Sequence, residues 1–249
     1  LVNSWIKTTS DEDIDDPDED GDHWYYFGSK GKKTTESKKI AGKTYYFNED
    51  GEMQDGWYED DGDVYYLGGE DEGWRKESGW LWLEKPDDDD DITGCDDECS
   101  ICDEEGWYYF GSNGKMYKDY KKKKDNGKYY YFNEHGQMLY EWINDAKVKV
   151  KGSPSNAEAD GNVATPNKAE IENMLYMNQV EEGWRADGWY EIDGAEDVGT
   201  DNDTDWYYFD DGEAKRADSD KDFAQIEDND ETPIWRAKIK IKASNNKYF

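Results

Sequence analysis

The sequence predicts a mainly β chain, an elongated β-solenoid of stacked β-hairpin repeats with irregular insertions and one short helix. Three observations predict it. Aromatic runs recur in one frame: Trp24-Tyr25-Tyr26-Phe27, Thr44-Tyr45-Tyr46-Phe47, Val64-Tyr65-Tyr66-Leu67, Trp107-Tyr108-Tyr109-Phe110, Tyr129-Tyr130-Tyr131-Phe132 and Trp206-Tyr207-Tyr208-Phe209. Phe27, Phe47 and Leu67 stand twenty residues apart, close to the period of a small solenoid unit. Each run is followed by glycine-bearing turn chemistry, as in Asn48-Glu49-Asp50-Gly51 and Asn133-Glu134-His135-Gly136. Finally, 34% of residues are hydrophobic while 16% are Phe, Trp or Tyr, so rings dominate the apolar supply and favour many small cores over one large one.

Each repeat reads as an aromatic strand, a glycine turn and a short polar return strand such as Lys115-Met116-Tyr117. Side chains alternate along a strand, which puts Trp24 with Tyr26 on one face and Tyr25 with Phe27 on the other. A lone hairpin is unstable in water, so these units must stack and bury rings between them. Residues 1–21 form an acidic lead-in, and 22–142 a hairpin array with an acidic, Cys-containing insertion at 68–105. In that insertion Trp80-Leu81-Trp82-Leu83 reads as a strand and Asp87 to Asp91 as a solvated loop. A second insertion, 143–182, opens on Ala146-Lys147-Val148-Lys149-Val150-Lys151, whose alternation reads as an edge strand, with a counterpart at 237–242. Asn167-Lys168-Ala169-Glu170 resembles a capping box, placing the short helix where Ile171, Met174, Leu175 and Met177 share a face. Residues 183–249 hold further repeats, truncated at the end, and the chain reads as a piece of a longer protein.

A formal charge of −33 over 249 residues with so few aliphatics would ordinarily mean disorder, but 12 Trp and 20 Tyr at regular positions mean a folded scaffold with acidic loops. Nucleic acid is excluded as a partner, because phosphate binding needs a concentrated basic surface, and cationic ligands fit the field better. No apolar run is long enough for a membrane-spanning helix.

Gly42-Lys43-Thr44-Tyr45-Tyr46-Phe47-Asn48-Glu49-Asp50-Gly51-Glu52-Met53-Gln54-Asp55-Gly56-Trp57, with Gly127 to Met138 as a second copy, resembles the choline-binding or cell-wall-binding repeats of Gram-positive surface proteins, including glucan-binding proteins and clostridial toxins. The resemblance implies aromatic cages between successive hairpins. A quaternary ammonium cannot donate a hydrogen bond, so attraction to ring faces is the suitable way to hold it. Positions matching the family pattern are Trp24, Trp107 and Trp206 as strand-opening rings, Trp57, Trp142 and Trp189 as following rings, and Tyr46, Tyr109 and Tyr131 as third walls. Thr44 and Val64 depart from the pattern where a Trp is expected, as does Glu141 before Trp142. For any one ring the alternative is that it only packs hairpins together.

Other candidates are weaker in pattern. Asp16, Asp18 and Asp20 with Gly21 match the first half of a calcium loop, but Phe27 stands where a bidentate Glu is required, which leaves a solvated linker as the competing reading. Cys95, Cys99 and Cys102 have a spacing like that of an iron–sulfur motif without the α/β scaffold such a cluster needs. A Cys95–Cys102 disulfide stapling the acidic insertion is the expected arrangement in an extracellular setting. No serine–histidine–acid set, HExxH or phosphate loop nominates an active site. The expected function is therefore a non-catalytic, secreted or wall-bound module for choline or a wall glycan, with a host-protein adhesin or a structural stalk as alternatives.

Overall fold

The computed structural model describes residues 1–9, 22–90, 92, 102–119, 123–143, 162–163, 174–193, 204–215, 223–226, 234–239 and 247–248. Its described residues are almost all strand and loop, with a 3-10 turn at Asp88–Asp90. The chain divides into two compact units, Leu1–Tyr117 and Lys118–Phe249.

Among its described residues unit 1 holds four antiparallel pairs: β1 (Ser4–Thr9) with β2 (Asp22–Phe27), β3 (Lys38–Ile40) with β4 (Lys43–Tyr45), β5 (Trp57–Asp60) with β6 (Asp63–Tyr66), and β7 (Gly79–Glu84) with β8 (Glu105–Phe110). Unit 2 begins with the pair β9 (Lys123–Asp125) and β10 (Lys128–Tyr130). There follow three three-stranded sheets, in which β11 (Trp142–Ile143) lies between β12 (Asn162–Val163) and β13 (Leu175–Tyr176). The next runs β14 (Gly188–Asp193), β15 (Thr204–Asp210), β16 (Glu213–Ala214), and the last β17 (Phe223–Ile226), β18 (Ile234–Ile239), β19 (Lys247–Tyr248).

The sheets are small, and one ring contact recurs in five of them. A Trp sits directly opposite a Tyr in the pairs Trp5 with Tyr26, Trp57 with Tyr66, Trp80 with Tyr109, Trp142 with Tyr176 and Trp189 with Tyr208. Their centroids lie 5.0, 5.2, 5.0, 5.1 and 5.2 Å apart with interplanar angles of 61 to 70°. Such edge-to-face pairs contribute about 0.5–1.5 kcal/mol each beyond the area they bury.

Most hairpin turns among the described residues precede the aromatic runs, but the turn expected after Trp206–Phe209 is present, a two-residue loop at Asp211-Gly212 that joins β15 to β16. Two-residue loops at Ala41-Gly42, Asp61-Gly62 and Asn126-Gly127 have positive φ at both positions, the geometry that matches strand twist. After four of the other runs the chain forms a closed loop instead of a return strand. Gly28, Asn48, Gly111 and Asn133 each accept from the residue three on and donate to the carbonyl four on, at 2.9 to 3.2 Å. At these four runs isolated bridges such as Phe47 with Met53 and Phe132 with Met138 stand where return strands were expected.

Two carbonyls of the run are then used in a fixed way. The third residue accepts from its own loop, as Tyr26 does from Thr34 and Tyr131 from Leu139. The first accepts from a later repeat: Trp24 from Met53, Thr44 from Arg75, Val64 from Met116 and Tyr129 from Arg185, at 2.8 to 2.9 Å. These bonds satisfy backbone groups that a two-stranded sheet would leave open.

The cores are local, as the ring-rich composition predicts. Trp57, Val64, Ile92, Tyr108, Phe110 and Met116 form one in unit 1, and Trp142, Met174, Tyr176, Ala186 and Phe209 one in unit 2. Alternation holds at the fourth run, where Tyr108 and Phe110 are buried and Trp107 and Tyr109 keep a partly exposed face.

The expected short helix is corrected where it can be compared. Leu175 lies in a strand opposite Ile143, and Met177 is bridged to Arg185, because Tyr176 is recruited opposite Trp142. Residues 167–173 and the edge strand at 146–151 lie outside the described residues. The counterpart at 237–239 belongs to β18, which pairs with both β17 and β19. The strand over Trp80 to Leu83 is present as β7.

Trp57 carries the first prediction. It is 8% exposed and packs on Tyr66, Tyr108 and Phe110. Trp57→Ala is expected to destabilise unit 1 by about 3–5 kcal/mol, whereas Trp82→Ala, at a ring 43% exposed, costs about 1 kcal/mol or less, both read by urea denaturation. A second concerns Tyr131, whose fully buried ring has its hydroxyl pushed by desolvation from 10.0 up to about 12. The neutral phenol is the form the fold favours, so this contribution is complete below pH about 10 and is lost as pH rises from there towards 12. Denaturation curves across that window should fall more steeply for the parent than for Tyr131→Phe.

Candidate functional site

The first two strand pairs of unit 1 and the segment after β6 enclose a recess of about 210 Å³ walled by Trp5, Trp24, Tyr45, Met53 and Trp74, with Asp71 and Glu72 at its rim. Trp5 and Trp24 come from β1 and β2, on one face of that pair, with ring centroids 6.3 Å apart and planes at 89°. Tyr45, at the end of β4, lies 4.9 Å from Trp5 and 6.5 Å from Trp74. The Met53 amide bonds the Trp24 carbonyl at 2.8 Å, which carries the Met53 thioether to the wall. Gly73, at φ 59°, leaves room for it, because a Cβ there would collide with the Met53 sulfur.

Each rim carboxylate of the recess has a lysine beside it: Lys76 reaches Glu72, and Lys7 reaches Asp71 and stands 5.8 Å from the Trp24 ring centroid. Trp24 Nε1 donates to Asp71 Oδ1 at 3.1 Å, and Lys7 Nζ reaches Glu70 at 2.5 Å and Asp71 at 3.3 Å. The indole bond, and then the lysine, hold the Asp71 carboxyl below its usual range. Burial raises the Tyr45 hydroxyl. The walls are thus ring faces and a thioether with carboxylates beside them, and no lysine or arginine lines the recess. Ring faces and a thioether can contact a cation without a hydrogen bond.

Trp74 already engages cations outside the recess lining: Lys43 Nζ stands 3.0 Å and Lys76 Nζ 4.0 Å from its ring centroid. Unit 2 repeats the motif with a different outcome. Gly183-Trp184-Arg185 reproduces Gly73-Trp74-Arg75, Trp184 lies 6.5 Å from Tyr130, and Gly183 abuts the Met138 thioether. There, however, Lys128 both lines the local recess of about 360 Å³ and caps Trp184 at 3.0 Å, and Arg185 pairs with Asp211 beside it.

Of the ring positions read from sequence, Trp24 lines the recess. Trp57 and Trp142, 8% and 4% exposed, lie in cores. Tyr46 packs with Tyr58 and Tyr65, and Tyr131 with Leu139 and Leu175. The tyrosine at the recess is Tyr45, one residue earlier, and one step along a strand changes the face. Trp107 and Tyr109 share a face of β7–β8 with Trp82 and Trp80. Trp189 and Trp206 remain 38% and 63% exposed on β14–β15, Trp189 against Tyr208. Sequence reasoning missed Trp5, Tyr45, Met53, Asp71 and Trp74; the repeated Gly-Trp-Arg triplet was the available signal for Trp74. Asp16, Asp18, Asp20 and Cys95 lie outside the described residues, and with Cys95 the pairing to Cys102.

Residues 34–78 match the model of the choline-binding repeat, and residues 19–33, 101–116 and 123–138 that of the putative cell wall binding repeat. The chain carries choline-binding and cell wall binding repeats. The repeats at 19–33 and 34–78 supply every wall of the recess except Trp5. Over 118 residues, 47% of this chain, the sequence is 30% identical to glucosyltransferase-S of Streptococcus mutans serotype c, of whose length it spans 7%. Among solved structures it is similar to the modular autolysin LytC from Streptococcus pneumoniae, at 20% identity and a TM-score of 0.38 over 86% of this chain and 39% of that one. It is also similar to choline binding protein F from Streptococcus pneumoniae, at 22% identity and a TM-score of 0.38 over 95% and 78%.

Gly73→Ala tests how the recess is held open. A left-handed backbone costs an alanine about 1–2 kcal/mol, and the new methyl displaces Met53. The melting temperature should fall, and the ε-methyl NMR resonance of Met53 should shift away from its ring-shielded position.

Proposed function

We propose that this chain is a non-catalytic module that attaches to a bacterial cell wall by holding choline in the recess of Trp5, Trp24, Tyr45, Met53 and Trp74. The observation that carries the reading is a concavity walled by ring faces and a thioether, flanked by Asp71 and Glu72, with no basic side chain in its lining. A quaternary ammonium offers methyl groups and a delocalised positive charge, and gains from ring faces and nearby carboxylates without needing an acceptor. A primary ammonium keeps its hydration shell better in water and gains less. The net charge of −33 adds long-range attraction for cations.

Within each unit the hairpins continue one another as in a solenoid, a reading supported by the four backbone bonds that join a run to a later repeat. The repeat matches support a position at the cell surface and the role of an attachment module.

Isothermal titration of the purified chain with choline and with ethanolamine tests this. Saturable binding of choline, at least tenfold tighter than ethanolamine, is expected, with a loss of at least tenfold in Trp24→Ala and little change in Trp82→Ala. Absence of saturable choline binding by a chain with native circular dichroism, or equal affinity in Trp24→Ala and Trp74→Ala, sinks the proposal.

A further inference from the structure

One contact is built twice, once in each unit. The two-residue turns Ala41-Gly42 and Asn126-Gly127 place a lysine at the start of the following strand, Lys43 in β4 and Lys128 in β10. The carbonyl of the next residue, Thr44 or Tyr129, accepts from the amide of Arg75 or Arg185, at 2.8 and 2.9 Å. That bond brings the tryptophan before the arginine alongside the lysine. Lys43 Nζ stands 3.0 Å from the Trp74 ring centroid, and Lys128 Nζ 3.0 Å from that of Trp184. A tyrosine of the same strand completes each group, with Tyr45 lying 6.5 Å from Trp74 and Tyr130 6.5 Å from Trp184. The same backbone register therefore sets an ammonium group on an indole face in both units.

The surroundings of the two indoles differ. At Trp74 a second lysine, Lys76, is 4.0 Å from the centroid and paired with Glu72. In unit 2 the buried Ala186 stands at the matching position, two residues after Trp184. Asp187, Asp210 and Asp211 line the recess of about 360 Å³ that Trp184 shares with Tyr129 and Tyr190. Arg185 is already engaged there, by Asp211 and by the Tyr129 ring, whose centroid is 4.6 Å from the guanidinium carbon. Lys128 lines the recess too, yet among the described residues it makes no ion pair with those carboxylates, and its ammonium lies on the Trp184 ring.

We propose that Lys128 is the resident cation of this recess, an internal guest that closes the Trp184 face to an external quaternary ammonium. The proposal rests on the reading that ring faces in this chain hold such ions, and extends it to a second recess. An indole face attracts a cation through its quadrupole, whatever the source of the cation. A lysine tethered beside the ring by its own backbone competes at an effective concentration of roughly millimolar, which a free ligand has to exceed. Removing the Lys128 side chain leaves the half-buried indole with Tyr129, Tyr190 and Asp187 around it, and Asp187 makes no ion pair among the described residues. Because Ala186 replaces the second lysine of unit 1, one substitution is enough to uncover the ring. Lys128 thus determines whether unit 2 accepts a ligand at this recess.

The test uses the full chain, choline as probe, and the indole N–H resonances of Trp184 and Trp24 as separate reporters. Lys128 is exposed at the start of its strand, so Lys128→Thr, a short side chain suited to a strand, leaves the fold in place. In the parent the Lys128 ε-methylene protons should be shifted upfield by the indole ring and should return to ordinary values in Trp184→Leu. In Lys128→Thr the Trp184 reporter should respond to choline saturably and at least threefold more tightly than in the parent. Lys128→Arg keeps a cation on the ring and should behave as the parent does. Trp24→Ala in the Lys128→Thr background should leave the Trp184 response unchanged. A response at Trp184 without one at Trp24 counts against the first recess alone, and the reverse counts against this proposal alone. Ordinary ε-methylene shifts in the parent, a Trp184 response no tighter in Lys128→Thr, or an equal gain in Lys128→Arg each overturn it.

Discussion

Edge-to-face packing of a tryptophan against the tyrosine directly across the strand pair is the contact on which the rest of this architecture rests. Two-stranded sheets have too little surface to hold themselves together in water, and aliphatic side chains are too few here to supply separate cores. The Trp–Tyr pair addresses both shortages in one contact. It buries two large rings inside a single ladder step and fixes register, since a slip of one residue would carry both rings to the opposite face. Where a later repeat covers the pair, as at Trp57 and Trp142, it becomes core. At Trp189 the pair lies nearer the surface, with the indole 38% exposed.

Register then decides which rings are available. In the run that opens at Trp24, the third residue is committed to the pair with Trp5, and the first lies on the same face one step away. Trp24 is thereby presented beside Trp5 at a right angle, and the two indoles become adjoining walls. The opposing walls come from the next repeat, delivered by the hydrogen bond from Met53 to the Trp24 carbonyl. One backbone bond, repeated down the chain, thus satisfies a strand edge and shapes a recess.

The mainly β class, the repeat frame and the distribution of small cores were all legible from ring spacing and glycine placement. The hairpin boundary was legible at Asp211-Gly212 but not at the earlier runs. Glycines stand on both sides of each run, and composition does not distinguish the two-residue turn at Asp61-Gly62 from the closed loop ending at Gly51; only positive φ at consecutive residues does. That half-repeat shift exchanged Tyr46 for Tyr45 at the recess. Trp74 was hidden because its spacing from the previous run is irregular, so it read as insertion rather than wall. At Leu175 a helical spacing of apolar residues competed with a tertiary demand, the need for a tyrosine opposite Trp142, and the tertiary demand prevailed.

A recess whose walls are divided between consecutive hairpins belongs to neither of them. Number and position of such sites are therefore properties of the junctions, and a chain that gains or loses one hairpin gains or loses a junction with it. Gene-level duplication of a single twenty-residue unit would add a seat without inventing a ring, whereas replacing Trp24 by the Thr or Val found at the same place in the next two runs abolishes a wall while leaving both neighbouring ladders intact. Junctions in such a scaffold are separable, so the loss of one wall leaves the hydrogen-bonded ladders on either side of it in place.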